Sequence, residues 1–177
     1  MNAYDLVLRV RDHYLDQFAS FVAARRAFGG GAEVQFMLSE HAKVFRRLYR
    51  VDWVSAPGGD GVTELDPPSV LTFPEFSITL DGGAEISFIR SRWDRIVLLH
   101  DLPDLRPDRL SLWFDRWFDP NEERLDVNAP LAGFIHSLLI EQGAVHVDFG
   151  TAPVDAFWDL VDVLAADGAT VLRCCDS

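Results

Sequence analysis

The stretch GAVHVDFGTAPVDAFWDL, residues 143–160, sets His146 two positions before Asp148 in a β-rich run. An imidazole and a carboxylate can exchange protons near neutral pH or bind a metal ion. Alternate residues of a strand point to one face, so the two side chains share a side. The segment FIHSLLIE, 134–141, lies just upstream. With Gln142-Gly143 as a two-residue turn, Ile140 opposes Val145, Leu138 opposes Val147 and Ser137 opposes Asp148. That register gathers the apolar residues on one side, where His136 faces Phe149. Ser137, His146 and Asp148 then meet on the other side, the three residue types that nucleophilic catalysis uses.

Two features speak against a serine triad. Ser137 falls in a regular strand rather than a strained turn. No glycine-rich turn near it offers paired N–H groups to an oxyanion. A wet sheet face with cross-strand polar pairs is the plainer reading. As metal ligands, His146 and Asp148 supply two donors, and His100 and Asp101 are the candidates to add more, but spacing does not make them converge. Neither a metal nor another cofactor is expected. The run DLPDLRPD, 101–108, lacks the glycine and terminal glutamate of a calcium loop, and Asp101 or Asp104 is expected to cap a helix start. Cys174 and Cys175 are neighbours, which disfavours a disulfide, and they read as small residues ending a strand with free thiols. Nucleotide-binding glycine motifs, H-E-x-x-H, C-x-x-C and G-x-S-x-G are absent from the sequence.

Several elements must position these residues. Ala3, Val7, Val10, Tyr14, Phe18, Phe21 and Phe28 predict a helix over 3–28, ended by Gly29-Gly30-Gly31. Val34, Met37, Leu38, His41, Phe45 and Leu48 predict a second helix over 32–50. Its opposite face would carry Lys43, Arg46, Arg47 and Arg50, a candidate surface for an anion or a partner. The two helices would form an antiparallel hairpin over 1–50, followed by a loop at 51–69 rich in Pro and Gly.

The body, 70–177, begins with FSITLDGGAEISFI, 76–89. Its turn at Asp81-Gly82-Gly83 pairs Phe76 with Phe88 and Ile78 with Ile86. A strand at 95–100 and a helix at 106–119 follow. After the second hairpin come a helix at 152–166, with Thr151 as its expected cap, and a last strand at 170–175. The order predicts one α+β domain: a mainly antiparallel sheet packed by helices on one face, preceded by the helical hairpin. The final strand–helix–strand unit could add one parallel pair.

The chain has 177 residues and a formal net charge of −12. Residues 1–50 carry +3 and residues 51–177 carry −15. An acidic surface repels nucleic acid and anionic membranes. No apolar run spans a membrane, and no secretory leader is expected. The leading expectation is a bacterial cytoplasmic interaction or regulatory module, non-catalytic, that binds a basic protein. Homodimers through the N-terminal helices are a further expectation. The alternative is a small enzyme or small-ligand binder that uses the Ser137, His146 and Asp148 face.

Overall fold

The computed structural model describes residues 2–39, 42–59, 61–126, 129 and 131–176. It is α+β, as the order of elements implies. The long helix α1 (Ala3–Arg26) starts at Asn2, whose side-chain oxygen accepts the Asp5 N–H at 2.7 Å. It buries Leu6, Val7, Val10, Tyr14, Phe18 and Val22 against the rest of the chain. Most of the apolar stripe on which self-association was expected is thus covered by the same chain, while Phe28 at its end is exposed. Among the described residues no helix is long and apolar enough to cross a membrane.

Helix α1 ends at Arg26, just before the glycines, and Gly30 and Gly31 already belong to a strand, not to the lead-in of a second helix. The strands β1 (Gly30–Met37), β2 (Leu48–Ser55) and β3 (Val62–Thr63) form an antiparallel three-stranded sheet, so the helical hairpin and the loop from 51 are both corrected. The residues that step like a helix from Val34 to Leu48 also include strand formers. Val34 pairs with Val51 and Phe36 with Tyr49. Gly30 has φ +133, and a Cβ there would sit 2.2 Å from the Val54 carbonyl oxygen, so a side chain would block this pairing. His41 lies outside the described residues.

The larger sheet contains β4 (Phe76–Thr79), β5 (Glu85–Phe88), β6 (Ile96–His100), β7 (Ser137–Glu141), β8 (Ala144–Asp148) and β9 (Val171–Asp176), in the order β4-β5-β9-β6-β8-β7. Both expected hairpin registers are present: Phe76 pairs with Phe88 and Ile78 with Ile86, while Ser137 pairs with Asp148 and Leu138 with Val147. Among the described residues one strand pair is parallel, β5 with β9. The chain leaves β8 and returns as β9 on the far side of β6, with α3 (Val154–Ala166) as the crossover.

Helix α2 (Pro107–Phe118) leans on α3 through apolar residues and two indole hydrogen bonds. Trp113 donates to the Ala156 carbonyl at 2.9 Å and Trp117 to the Asp159 carboxylate at 3.1 Å. The core centres on Phe149, whose ring lies 4.7 Å from Trp93 and 5.9 Å from Phe157.

The two sheets meet just before β7. The Arg50 N–H donates to the His136 carbonyl at 2.7 Å, and Val44 bridges Leu139. Arg50 is itself buried. Its guanidinium sits 5.0 Å from the Phe118 ring and 4.4 Å from the Phe134 ring, and it donates to the Glu33 and Phe118 carbonyls at 3.0 and 3.2 Å. It fastens the small sheet to α2.

Candidate functional site

Ser137, Leu139, His146 and Asp148 line one wall of a surface groove of about 270 Å³, with Asp94 and Arg95 on one rim and Val44 on the other. Strand register alone brings Ser137 opposite Asp148 and His146 opposite Leu139. The three polar residues share the groove but do not form a triad. His146 turns its Nε2 to Glu141 at 3.4 Å. Asp148 accepts the Gly150 N–H at 2.8 Å on one oxygen.

Behind Asp148 lies a polar cluster that the sequence did not single out. His136, on the core side of its hairpin, is fully enclosed. Its Nε2 lies 3.0 Å from Glu33, and its Nδ1 lies 3.1 Å from Asp52 and 3.9 Å from Asp148. Glu33 and Asp52 stand opposite each other on β1 and β2, between the pairs Ala32–Trp53 and Val34–Val51. Two like charges so placed repel; a cation between them reverses that. Glu33 has φ +52, a strained value for a non-glycine residue, and its carboxylate is held by the Ala132 N–H at 2.7 Å and by the Thr151 hydroxyl. Asp52 accepts the Leu65 N–H at 2.6 Å.

These neighbours set the charges. Burial works against a charged His136, but Asp148, Asp52 and Glu33 outweigh it and hold the imidazolium well above the usual histidine range. For Asp52, burial is outweighed by the hydrogen bond and charge of His136 and by the Leu65 N–H, so its carboxyl is lowered. Asp148 goes the other way. Burial pushes its carboxyl up, His136 pulls it back and Asp52 pushes it up again, leaving it at about 7. Protein surrounds this carboxylate on most sides, while 27% of the side-chain surface stays open to the groove.

A pH dependence of stability follows. Folded Asp148 holds its proton to about 7 against an ordinary value of 3.8, so stability falls as pH rises between these values. Folded His136 holds its proton above the ordinary 6.5, so its contribution is complete below 6.5 and is lost at alkaline pH. The lowered Asp52 loses its contribution only in acid. Urea midpoints are expected to decline from pH 5 through 7 to 9. A midpoint that rises over this range contradicts the assignment.

The other candidate residues do not converge. His100 and Asp101 stand at the end of β6, and Asp101 accepts the Thr170 and Val171 N–H groups at 2.9 and 3.3 Å. It caps the start of β9 rather than a helix, and the Thr170 hydroxyl and N–H hold its carboxyl down at about 2. Thr151 does not cap α3 either; its oxygen accepts the Gly133 and Phe134 N–H groups at 2.8 and 3.3 Å. Among the described residues no group of three His, Cys, Asp or Glu is placed to hold a metal ion.

The basic face dissolves with its helix. Arg46 and Arg47 sit in a tight turn at φ +49 and +58, Arg46 pairs with Asp115, Lys43 lies 3.8 Å from Glu141, and Arg50 is buried. Cys174 is enclosed beside the Ser91 hydroxyl at 3.3 Å, and burial pushes its thiol up to about 12. Such a thiol is a poor nucleophile.

Two larger grooves exist, each of about 470 Å³. One runs between α2 and α3 beside Leu112, Arg116 and Asp159, and the other lies beside Tyr4, Phe76 and Trp158. Neither is lined by a histidine or a cysteine.

No protein-family model matches the chain, and no solved structure matches it. Two mycobacterial proteins do resemble it. Each carries the description "Putative S-adenosyl-L-methionine-dependent methyltransferase", one from Mycobacterium marinum and one from Mycobacterium ulcerans. Each is 34% identical over 101 residues, a stretch that covers 57% of this chain and 29% of the relative. This likeness overturns the expected non-catalytic interaction module, because both relatives are described as enzymes that depend on a small molecule. It favours the alternative, a small-molecule enzyme.

Proposed function

We propose that the chain is a small-molecule enzyme or ligand binder whose site is the groove at Ser137, His146 and Asp148, with Asp148 as the proton-transfer group. The observation that carries this reading is a carboxyl held at about 7 at the wall of an open groove. Groups balanced near the working pH transfer protons best, and such groups gather at functional sites.

Held at about 7, Asp148 is poised between its acid and carboxylate forms near neutral pH, and the carboxylate can accept a proton from an N–H or O–H of a bound molecule. The Gly150 N–H fixes one carboxylate oxygen and leaves the other toward His136 and the groove. The Ser137 hydroxyl, directly across the ladder, is placed to orient the ligand. Leu139, Val97 and Val147 give the groove an apolar side. A small molecule with an apolar body and one exchangeable proton suits these walls.

The methyl donor in the relatives' description does not fit this groove as it stands. Its volume of about 270 Å³ falls below the ~300–1,000 Å³ typical of sites that enclose larger ligands. The Asp94 carboxylate, a natural partner for sugar hydroxyls, is already held by Arg92 at 2.8 and 3.2 Å. The reading therefore rests on the proton-transfer group and not on that donor.

The test is a thermal-shift and turnover panel of small amines, alcohols and thiols, with S-adenosyl-L-methionine as a separate arm. Asp148→Asn keeps an acceptor for the Gly150 N–H, so its melting temperature is expected to stay within a few degrees. Its turnover is expected to fall about 10²-fold. Equal turnover by the variant would refute the role of Asp148.

A further inference from the structure

We infer that Glu33, Asp52 and His136 form a positioning relay behind Asp148, in which two carboxylates of the small sheet hold a buried imidazolium whose charge governs when Asp148 takes up and releases its proton. This rests on the reading of Asp148 as the proton-transfer group, but the relay can be tested without a substrate.

The geometry runs in one line from the small sheet to the groove. Glu33 meets Nε2 at 3.0 Å, Asp52 meets Nδ1 at 3.1 Å, and Nδ1 stands 3.9 Å from the groove carboxylate. The ring has little freedom to turn. The Phe18 ring lies 6.0 Å away, edge on, and the Gly150 backbone lies so close that a Cβ there would come within 2.1 Å of Cδ2. Glu33 is anchored in turn by Ala132 and Thr151. Nε2 is hydrogen-bonded to Glu33, and Nδ1 lies within ion-pair distance of Asp52 and Asp148, so carboxylate charge on both sides of the ring favours the imidazolium form.

The charged and titratable neighbours come from every packed element: Glu33 on β1, Asp52 on β2, Glu64 after β3, Asp148 on β8, Asp94 before β6 and Tyr14 on α1. Asp148, Asp52, Asp94 and Glu33 all act on Tyr14, after burial, to keep its phenol protonated. Glu64, whose carboxylate accepts the Asp52 N–H at 3.1 Å, is raised by burial and then by Asp52. The cluster thus holds five carboxyl groups and one phenol; Arg50 acts on Glu33 and Arg92 pairs with Asp94 at its edges, while His136 is the cation set between Glu33, Asp52 and Asp148. Of these groups only Asp148 and Asp94 line the groove, and of the three carboxylates nearest the His136 ring only Asp148 does.

The experiment is a carbon-13 NMR titration of the Asp148 carboxyl and of the His136 ring, on wild type, Glu33→Gln and His136→Gln. Glu141→Gln, which changes the neighbour of His146 and Lys43 and touches none of the cluster around His136, serves as control. In His136→Gln the Asp148 midpoint is expected to rise by about one pH unit or more, since a cation within ~4–6 Å holds a carboxyl down by that amount. In Glu33→Gln the His136 midpoint is expected to move to lower pH, with the fold kept by the amide that replaces the carboxylate. The Glu141→Gln control is expected to leave the Asp148 midpoint in place.

An Asp148 midpoint that is unchanged in His136→Gln overturns the relay. If that variant does not fold, an unchanged His136 midpoint in Glu33→Gln overturns it instead. Midpoints that shift as expected in a protein that binds nothing in the groove would sustain the relay and overturn the functional reading.

Discussion

His136→Ala lowers folding stability at pH 7 by about 3–5 kcal/mol, the cost of removing one partner from a buried ionic group. The alanine leaves Glu33 and Asp52 facing each other across β1 and β2 with no cation between them, and neither is open to water. It also leaves a cavity the size of an imidazole beside Phe18. The loss should shrink in acid, where the carboxylates take up protons. Adding Glu33→Gln and Asp52→Asn to His136→Ala should recover much of it, because the stranded charges are then gone. Urea unfolding of wild type, His136→Ala and the triple variant at pH 5 and 7 measures this. A cost below about 1 kcal/mol at pH 7 would mean that the cluster is neutral and that His136 carries no charge.

Gly150→Ala is the second large effect. Gly150 has φ +46, where a side chain is strained, and its Cβ would come within 2.1 Å of Cδ2 and 2.3 Å of Nε2 of His136. The ring is fixed by carboxylates on both sides, so either the ring or the turn into α3 must move. Overpacking and the left-handed backbone together predict a loss of about 2–4 kcal/mol. The same movement should loosen the Gly150 N–H from Asp148, so the variant's Asp148 carboxyl should titrate at a different pH from wild type. Chemical unfolding and the carboxyl titration check the two parts. A variant with wild-type stability and titration would show that the close approach is relaxed in solution.

Much of this molecule could be read from alternation of residue types. In both body hairpins only one register puts every apolar residue on one face, so the pairings Phe76–Phe88 and Ser137–Asp148 were legible. The helix at 3–26 and those at 107–118 and 154–166 follow equally from apolar spacing and their glycine or proline flanks. The segment 30–50 was misread because its apolar residues satisfy a helical period as well as a strand period. What decides between them is long-range: Tyr49 finds Phe36 across the small sheet, and Arg50 finds Glu33, Phe118 and Phe134.

The site was half legible. Strand period placed Ser137 and Asp148 on one face, yet it turned His136 to the core, where an unexplained histidine could have been a signal. A titratable group on an apolar face must have partners. Its partners lie in segments assigned to a helix and a loop; Glu33 is 103 residues away in sequence. No local pattern joins them. Asp148 and His136 gain their altered proton affinities only when the two sheets close on each other.

Small molecules are expected to bind the groove at Asp148 rather than the two larger grooves. Amide chemical-shift mapping with a library of small amines and alcohols tests it most directly. Shifts are expected to cluster at residues 95–97, 137–139 and 146–148, and to fade in Asp148→Asn. Shifts confined to Leu112, Arg116 and Asp159, or to Tyr4, Phe76 and Trp158, would contradict it.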